Sequence, residues 1–211
     1  MLVPPTGIEP VHLPPEGSAL SPELRGRRYK GRLSDYEQYR ESIFCNRLFL
    51  GRRTQIVEYS RRCADKFGYM GGAGPDPSYE QVCTGVTGHA EIVEVSFDPS
   101  KLTYRRLLEE FWVMHDPTSL NRQGGDIGTQ YRSAIFTTSD SQLLQAEATR
   151  DVYQAALSRK GIGEIVTEIK GAQGIPYYLA EEYHQRYLAK NPNGYDCHSS
   201  TGVSFPSQVS G

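Results

Sequence analysis

The side chains best suited to chemistry lie in two glycine-rich stretches, GYMGGAGPDPSYEQVCTGVTGHAE (68–91) and DPTSLNRQGGDIGTQY (116–131). Glu91 follows a Gly-His-Ala turn at the mouth of an alternating segment, where a carboxyl can be desolvated, raised in pKa and made a proton donor. An ordinary surface glutamate is the competing reading. Asp126 and Tyr131 flank a tight Gly-Thr-Gln loop, and a tyrosine hydroxyl can donate to a developing oxyanion. The same tyrosine can equally be a core residue with its hydroxyl satisfied. Tyr79 shares the first stretch with Cys83, and His89 follows; a Cys–His nucleophile pair there is a weak candidate. His115-Asp116-Pro117 reads as a helix cap and stop rather than a dyad, and His184, beside Tyr183 and near Tyr187, as a packed histidine. These residues describe an aromatic, acid-lined cleft and no particular reaction.

Such residues need elements to hold them. HAEIVEVSFDP (89–99) alternates through Ile92, Val93, Val95 and Phe97 and stops at Asp98-Pro99, which predicts a strand. SKLTYRRLLEEFWVMHD (100–116) carries Leu102, Leu107, Leu108, Phe111 and Trp112 at helical spacing, with Ser100 as the predicted cap. YRSAIFTT predicts a second strand, and SDSQLLQAEATRDVYQAALSRKG a helix capped near Ser139 and ended by Gly161. IVTEIKGA predicts a third strand, and YYLAEEYHQRYLAKN (177–191) a last, short helix. This order gives an α/β (α+β) two-layer sandwich with a mixed or mostly antiparallel sheet flanked by helices. The long loops between the elements are of the kind that carries function.

The 211-residue chain divides into a Pro-rich tail over 1–35, predicted to be disordered, a domain over 36–195 and a flexible tail over 196–211. Within the domain, the stretch up to about residue 67 has no legible period. A net charge of -2 argues against a nucleic-acid surface, and no apolar run reaches membrane length. The N-terminus lacks the basic-then-apolar pattern of a secretory signal. Cys45, Cys63, Cys83 and Cys197 form no CxxC pair, which argues against a zinc site or a disulfide scaffold. The expectation is a cytoplasmic monomer without cofactor, metal, membrane or nucleic-acid partner. Fourteen tyrosines against seven phenylalanines and one tryptophan suit a wet aromatic cleft as well as scattered edge positions.

Three segments carry a resemblance: GYMGG…PSYEQVCTGVTGHAEIVEVSFDP, FWVMHDPTSLNRQGGDIGTQYRSAIF and YYLAEEYHQRYLAKNPNGY. In order, over about residues 68–195, they resemble the peptide methionine sulfoxide reductase A family. The resemblance implies a ferredoxin-like core and thiol-dependent reduction of methionine (S)-sulfoxide in proteins and as the free amino acid. In that chemistry a thiolate attacks the sulfoxide sulfur while the oxygen gains a proton. Carried onto this sequence, Glu91 supplies the proton, Tyr79 and Tyr131 hydrogen-bond the oxygen, and Asp126 supports the same network. An aromatic pair beside the nucleophile, represented here by Phe49, holds the S-methyl group. A resolving cysteine then condenses with the sulfenic acid, and thioredoxin reduces the disulfide. Cys197 is the candidate for that cysteine, although Asp196 separates it from the Tyr it follows directly in the family. The implied partners are oxidised proteins or free methionine sulfoxide, and thioredoxin.

The nucleophile itself is missing. The family carries it in Gly-Cys-Phe-Trp-Gly-Ala-Glu, and counting back from Gly68 at the family spacing places the cysteine on Leu48. The surrounding NRLFLGRRTQIVEYSRRC has no period and is crowded with arginine. The genetic code offers an account. Arg47 to Thr54 can be written CGG CTG TTT CTG GGG CGC CGA ACA, and one base further on this reads C GGC TGT TTC TGG GGC GCC GAA CA. That spells the family motif, and Thr54 to Val57 continue as His-Lys-Leu-Trp. Residues 41–62 therefore read as a segment one base out of frame; a divergent insertion is the rival account. A catalytically inactive, methionine sulfoxide-binding relative is the alternative function.

Overall fold

The computed structural model describes residues 40–45, 63–185, 190–191 and 199–207, with 40–45 and 63–65 given by their backbone alone. The predicted N-terminal tail, Leu48, Phe49, Cys197 and residues 46–62 of the suspected out-of-frame segment lie outside the described residues. Of the C-terminal tail expected to be flexible, 199–207 are described and are held to Tyr153: its hydroxyl donates to the Val203 carbonyl at 2.9 Å and its ring stacks on Phe205 at 5.8 Å.

A six-stranded sheet organises the chain. Its strands are β1 (Arg40–Cys45), β2 (Cys63–Met70), β3 (Ala90–Phe97), β6 (Ala134–Thr137), β7 (Glu168–Gly171) and β8 (Tyr177–Leu179), in the order β7-β6-β1-β3-β2-β8. Every neighbouring pair is antiparallel except β6–β7. A short hairpin, β4 (Arg122–Gln123) with β5 (Asp126–Ile127), forms a second sheet. The helices are α1 (Tyr79–Cys83), α2 (Tyr104–Met114) and α3 (Asp140–Ser158), with a 3-10 turn at Thr129–Tyr131.

The alternation in β3 sets the layers. Val93, Val95 and Phe97 face one side with Phe67 and Tyr69 of β2, where Leu107, Leu108, Phe111 and Trp112 of α2 and Tyr153 and Leu157 of α3 cover them. Ala90 and Ile92 face the other side with Met70, Ala134, Phe136 and Tyr177. Two layers follow because strand residues point alternately to opposite faces and each apolar face must be covered. The two long helices are fastened by a buried bond in which Trp112 Nε1 donates to Thr149 Oγ1 at 3.0 Å. Thr149 spends its own proton on the Gln145 carbonyl at 2.9 Å, so its oxygen is open to accept.

Three expectations need correction. The cap of α2 is Thr103, whose side chain accepts from the Arg106 amide, and not Ser100. Ser100 instead donates its hydroxyl to Asp98, closing the turn after β3. The helix expected over 177–191 is absent from its first half: Tyr177–Leu179 pair with β2, and 182–185 form a turn. The reason is steric as well as polar. Gly68 of β2 lets β8 come close; a Cβ there would lie 2.4 Å from the Tyr178 carbonyl oxygen and 2.5 Å from the Tyr177 ring. Third, β1 and β2 fall in the region without legible period, and the pairing partners on either side of β1 decide its state.

His115 closes α2 as the Pro-flanked stop suggests. Its Nδ1 lies 2.7 Å from the Phe111 carbonyl, an acceptor only, so Nδ1 carries the proton. Nε2, 2.7 Å from Ser133 Oγ, therefore accepts from that hydroxyl, and Ser133 in turn accepts from Thr167. Burial pushes the His115 pKa down to about 4, against the opposing pull of the Phe111 carbonyl and of Asp116.

Two outcomes follow for stability. Thr149→Val leaves the buried Trp112 N–H without an acceptor and is expected to lower the unfolding free energy by about 1–3 kcal/mol in urea titrations. Between pH 6.5 and about 4 the unfolded chain binds a proton at His115 that the native chain refuses, so stability falls as pH drops through that window and levels below it. The loss is on the order of 3 kcal/mol, and urea titrations across the window should lose this slope in His115→Gln.

Candidate active site

Glu91 ends the apolar row of β3. It is 1% exposed and lies directly opposite Tyr69 of β2 in the ladder, on the helix-covered face. Tyr79 opens α1, which begins because Ser78 accepts from the Gln81 amide while the Gln81 side chain reaches back to the Ser78 amide. Tyr131 ends the 3-10 turn, which packs against β3.

The electrostatics of the tyrosines report their neighbours. The Tyr79 hydroxyl is pushed up chiefly by burial, then by its hydrogen bond to Cys83 and the negative charges of Cys83, Glu91 and Tyr131. Tyr69 is pushed up by burial, by its bond to Glu181 and by the charges of Glu181 and Glu91. Both phenols thus remain protonated donors well past neutral pH. Asp126, half-buried, sits on the β5 strand of the hairpin, and that hairpin packs on the same 3-10 turn through β4. Tyr79, Glu91 and Tyr131 form one cluster, with Asp126 on its flank.

The Cys83–His89 pair finds no support as a nucleophile and base. The Cys83 thiol serves the Tyr79 hydroxyl. The His89 ring packs edge-on to Tyr178 at 5.6 Å, and burial and the Arg132 charge lower its pKa, leaving it a poor base. Gly72 makes this packing possible, since a Cβ there would lie 2.3 Å from the His89 amide nitrogen. His184 is the packed histidine it resembles, 4.3 Å from the ring centroids of both Tyr79 and Tyr183.

Several residues that hold the cluster escaped the sequence reading. Thr129 Oγ1 donates to the Gly85 carbonyl at 3.3 Å and Gln130 Nε2 to the Cys83 carbonyl at 3.4 Å. Arg132 donates to the carbonyls of Gly88 and Thr129, each at 3.0 Å, and to Glu168 Oε2 at 2.9 Å. The segment bearing Tyr131 is thereby stitched to the loop bearing Tyr79. Glu181 accepts from the Tyr69 hydroxyl and the Tyr79 amide, both at 2.8 Å. Only the position of Thr129, Gln130 and Arg132 around Tyr131 in the sequence could have flagged them. A shallow depression of about 280 Å³, lined by Ala73, Pro75, Pro77, Gln81 and Val86 among others, includes none of these site residues.

Among the described residues no group of three or more His, Cys, Asp or Glu side chains is placed to hold a metal ion, and no helix is long and apolar enough to cross a membrane. The family model for peptide methionine sulfoxide reductase matches residues 49–208. The chain is 57% identical over 144 residues to the peptide methionine sulfoxide reductase MsrA of Pseudomonas putida strain GB-1, covering 68% of this chain. It spans 64% of that relative's own length. Against the MsrA of Pseudomonas entomophila strain L48 it is 49% identical over 170 residues, covering 81% of this chain and 76% of the relative. The solved structure of methionine sulfoxide reductase A of Corynebacterium diphtheriae superposes with a TM-score of 0.67 at 37% identity, over 81% of this chain and 84% of that one.

Removing the stitch has a measurable consequence. Arg132→Ala strips donors from two backbone carbonyls and from Glu168. It is expected to lower stability by about 2 kcal/mol and to speed amide exchange over residues 85–89 and 129–131.

Proposed function

The chain belongs to the peptide methionine sulfoxide reductase family, and we propose that its cluster of Tyr79, Glu91 and Tyr131 recognises the sulfoxide oxygen of methionine (S)-sulfoxide, in proteins or free. The observation that carries the reading is the burial of Glu91, 1% exposed, among tyrosine hydroxyls. A desolvated carboxyl favours its neutral, proton-carrying form, and a sulfoxide oxygen is a strong acceptor that needs a proton as its bond to sulfur breaks. Tyr79 rests on the Cys83 sulfur, a weak acceptor, so turning its hydroxyl toward a sulfoxide oxygen loses little. Tyr131 supplies a second donor, and Asp126 supports the network from the hairpin.

Reduction requires a thiol. In the complete reaction the thiol sulfur bonds to the sulfoxide sulfur, Glu91 protonates the oxygen, and that oxygen leaves on the thiol as a sulfenic acid while the thioether departs. A second thiol condenses with the sulfenic acid, releasing water, and an external dithiol takes the disulfide back to two thiols. Cys197 is the proposed second thiol and thioredoxin, in a cytoplasmic setting, the proposed dithiol. Leu48 stands at the position of the first thiol. The chain as written binds sulfoxide and does not reduce it; the frame-corrected chain reduces it.

The test compares three proteins for consumption of methionine (S)-sulfoxide with dithiothreitol: the unmodified chain, Leu48→Cys, and the chain with residues 42–62 replaced by the reframed sequence. The unmodified chain should be inert and the reframed chain active. Leu48→Cys should recover less, because even about 1 Å of misplacement costs on the order of 100-fold. Full activity in the unmodified chain, or a folded but inert reframed chain, removes the reading.

A further inference from the structure

We propose that Glu181 is a positioning residue for Tyr79: its carboxylate fixes the start of α1 against β2 and so sets where the Tyr79 hydroxyl is presented. The inference rests on the sulfoxide-recognition reading of Tyr79.

Tyr79 is the first residue of α1, so its amide has no acceptor within the helix. The Ser78 side chain, which caps the helix, accepts from Gln81 instead. The Tyr79 amide finds its acceptor 102 residues away, in Glu181 Oε1 at 2.8 Å. The other oxygen, Oε2, accepts from the hydroxyl of Tyr69, also at 2.8 Å, and Tyr69 lies opposite Glu91 in the β2–β3 ladder. A single carboxylate therefore joins the helix that carries the sulfoxide donor to the strand pair that carries the proton donor. The two oxygens of one carboxylate suit it to serve donors from two different elements.

Glu181 is itself held in place. It lies two residues beyond the end of β8, and the turn after it is clamped to β2 by Gln185, whose Oε1 accepts from the Phe67 amide at 2.9 Å. Gln185 Nε2 donates to the carbonyls of Phe67 and Ala180, each at 2.8 Å. His184 from the same turn lies against the Tyr79 ring at 4.3 Å. Burial works against the Glu181 charge, but the backbone hydrogen bonds it accepts, including that from Tyr79, and the Tyr69 hydroxyl outweigh it and hold the carboxyl below its usual range. The anion is the form that accepts from both donors.

The amide of a first helical residue is otherwise unprotected, so its hydrogen exchange reads the Glu181 bond directly. Exchange at Tyr79 and binding of N-acetyl-methionine (S)-sulfoxide would be measured on the full chain as it stands. Glu181→Ala should lose Tyr79 protection and bind the sulfoxide about tenfold more weakly. Glu181→Gln should keep both within about twofold, because its amide oxygen can accept from Tyr79 and its NH₂ can donate to the Tyr69 oxygen. Glu181→Met, of similar length and without an acceptor, repeats the loss if truncation to alanine unfolds the turn. Unchanged sulfoxide affinity in both Ala and Met variants overturns the proposal. So does a Gln variant that keeps Tyr79 protection yet binds as weakly as Ala, since charge rather than position would then be responsible. If the unmodified chain does not bind the sulfoxide, the proposed function falls. The exchange arm still judges the clamp, and Tyr79 protection that survives in Glu181→Ala overturns it.

Discussion

A carboxyl group at the end of an apolar strand row is the constraint around which this molecule is arranged. Along β3, Phe97, Val95 and Val93 pack under the helices, and Glu91 is next in the same row with 1% of its surface exposed. A charged or poorly partnered carboxyl in that position costs several kcal/mol, so the elements around it must bring polar atoms without bringing bulk water. Tyrosine suits this demand, because its ring fills apolar space while its hydroxyl brings a polar group into the neighbourhood of the carboxyl. Tyr69 arrives across the ladder from β2, Tyr79 from α1 and Tyr131 from the 3-10 turn.

Convergence of three separate segments would count for little if each were loose. The loop after α1 exposes a run of backbone carbonyls at Cys83, Gly85 and Gly88, and each takes a donor from Gln130, Thr129 or Arg132. Arg132 is anchored in turn by Glu168 on β7, at the far edge of the sheet order. On the opposite side, Glu181 and Gln185 tie α1 and the β2 edge to the turn after β8. Segments fixed in this way leave only a hydroxyl rotation to be made when negative charge develops beside them, which favours electrostatic stabilisation.

The helical layer shows the same economy with a different purpose. Trp112, Thr149, His115, Ser133 and Thr167 are polar groups in or beside the core, and each donor meets an acceptor of fixed direction. His115 is kept neutral by burial and by a hydrogen-bond pattern that only the Nδ1-protonated tautomer satisfies. It fastens the end of α2 to Ser133, the residue before β6, and has no part in the acid–base cluster around Glu91. The described structure thus separates polar groups that stabilise the sandwich from those poised for a ligand.

The elements legible in sequence are those whose periodicity is local. β3 alternates over eight residues, and α3 carries its serine cap and a glycine of positive φ just beyond its end. The acid and tyrosines of the site could also be singled out there, because glycine-rich loops around them are unusual for a core. What the sequence left open depended on distant partners. Tyr177–Leu179 has an amphipathic look that suits a helix, but it becomes a strand because Gly68 on β2 admits its backbone. Arg40–Cys45 has no persuasive alternation and becomes a central strand because β3 and β6 lie on either side. Glu181 carries no local signal, and its role rests on donors 102 and 112 residues away. Local patterns record which face of an element is apolar; only the tertiary structure decides which orphaned donor a carboxylate meets, since that depends on the path of the whole sheet between them.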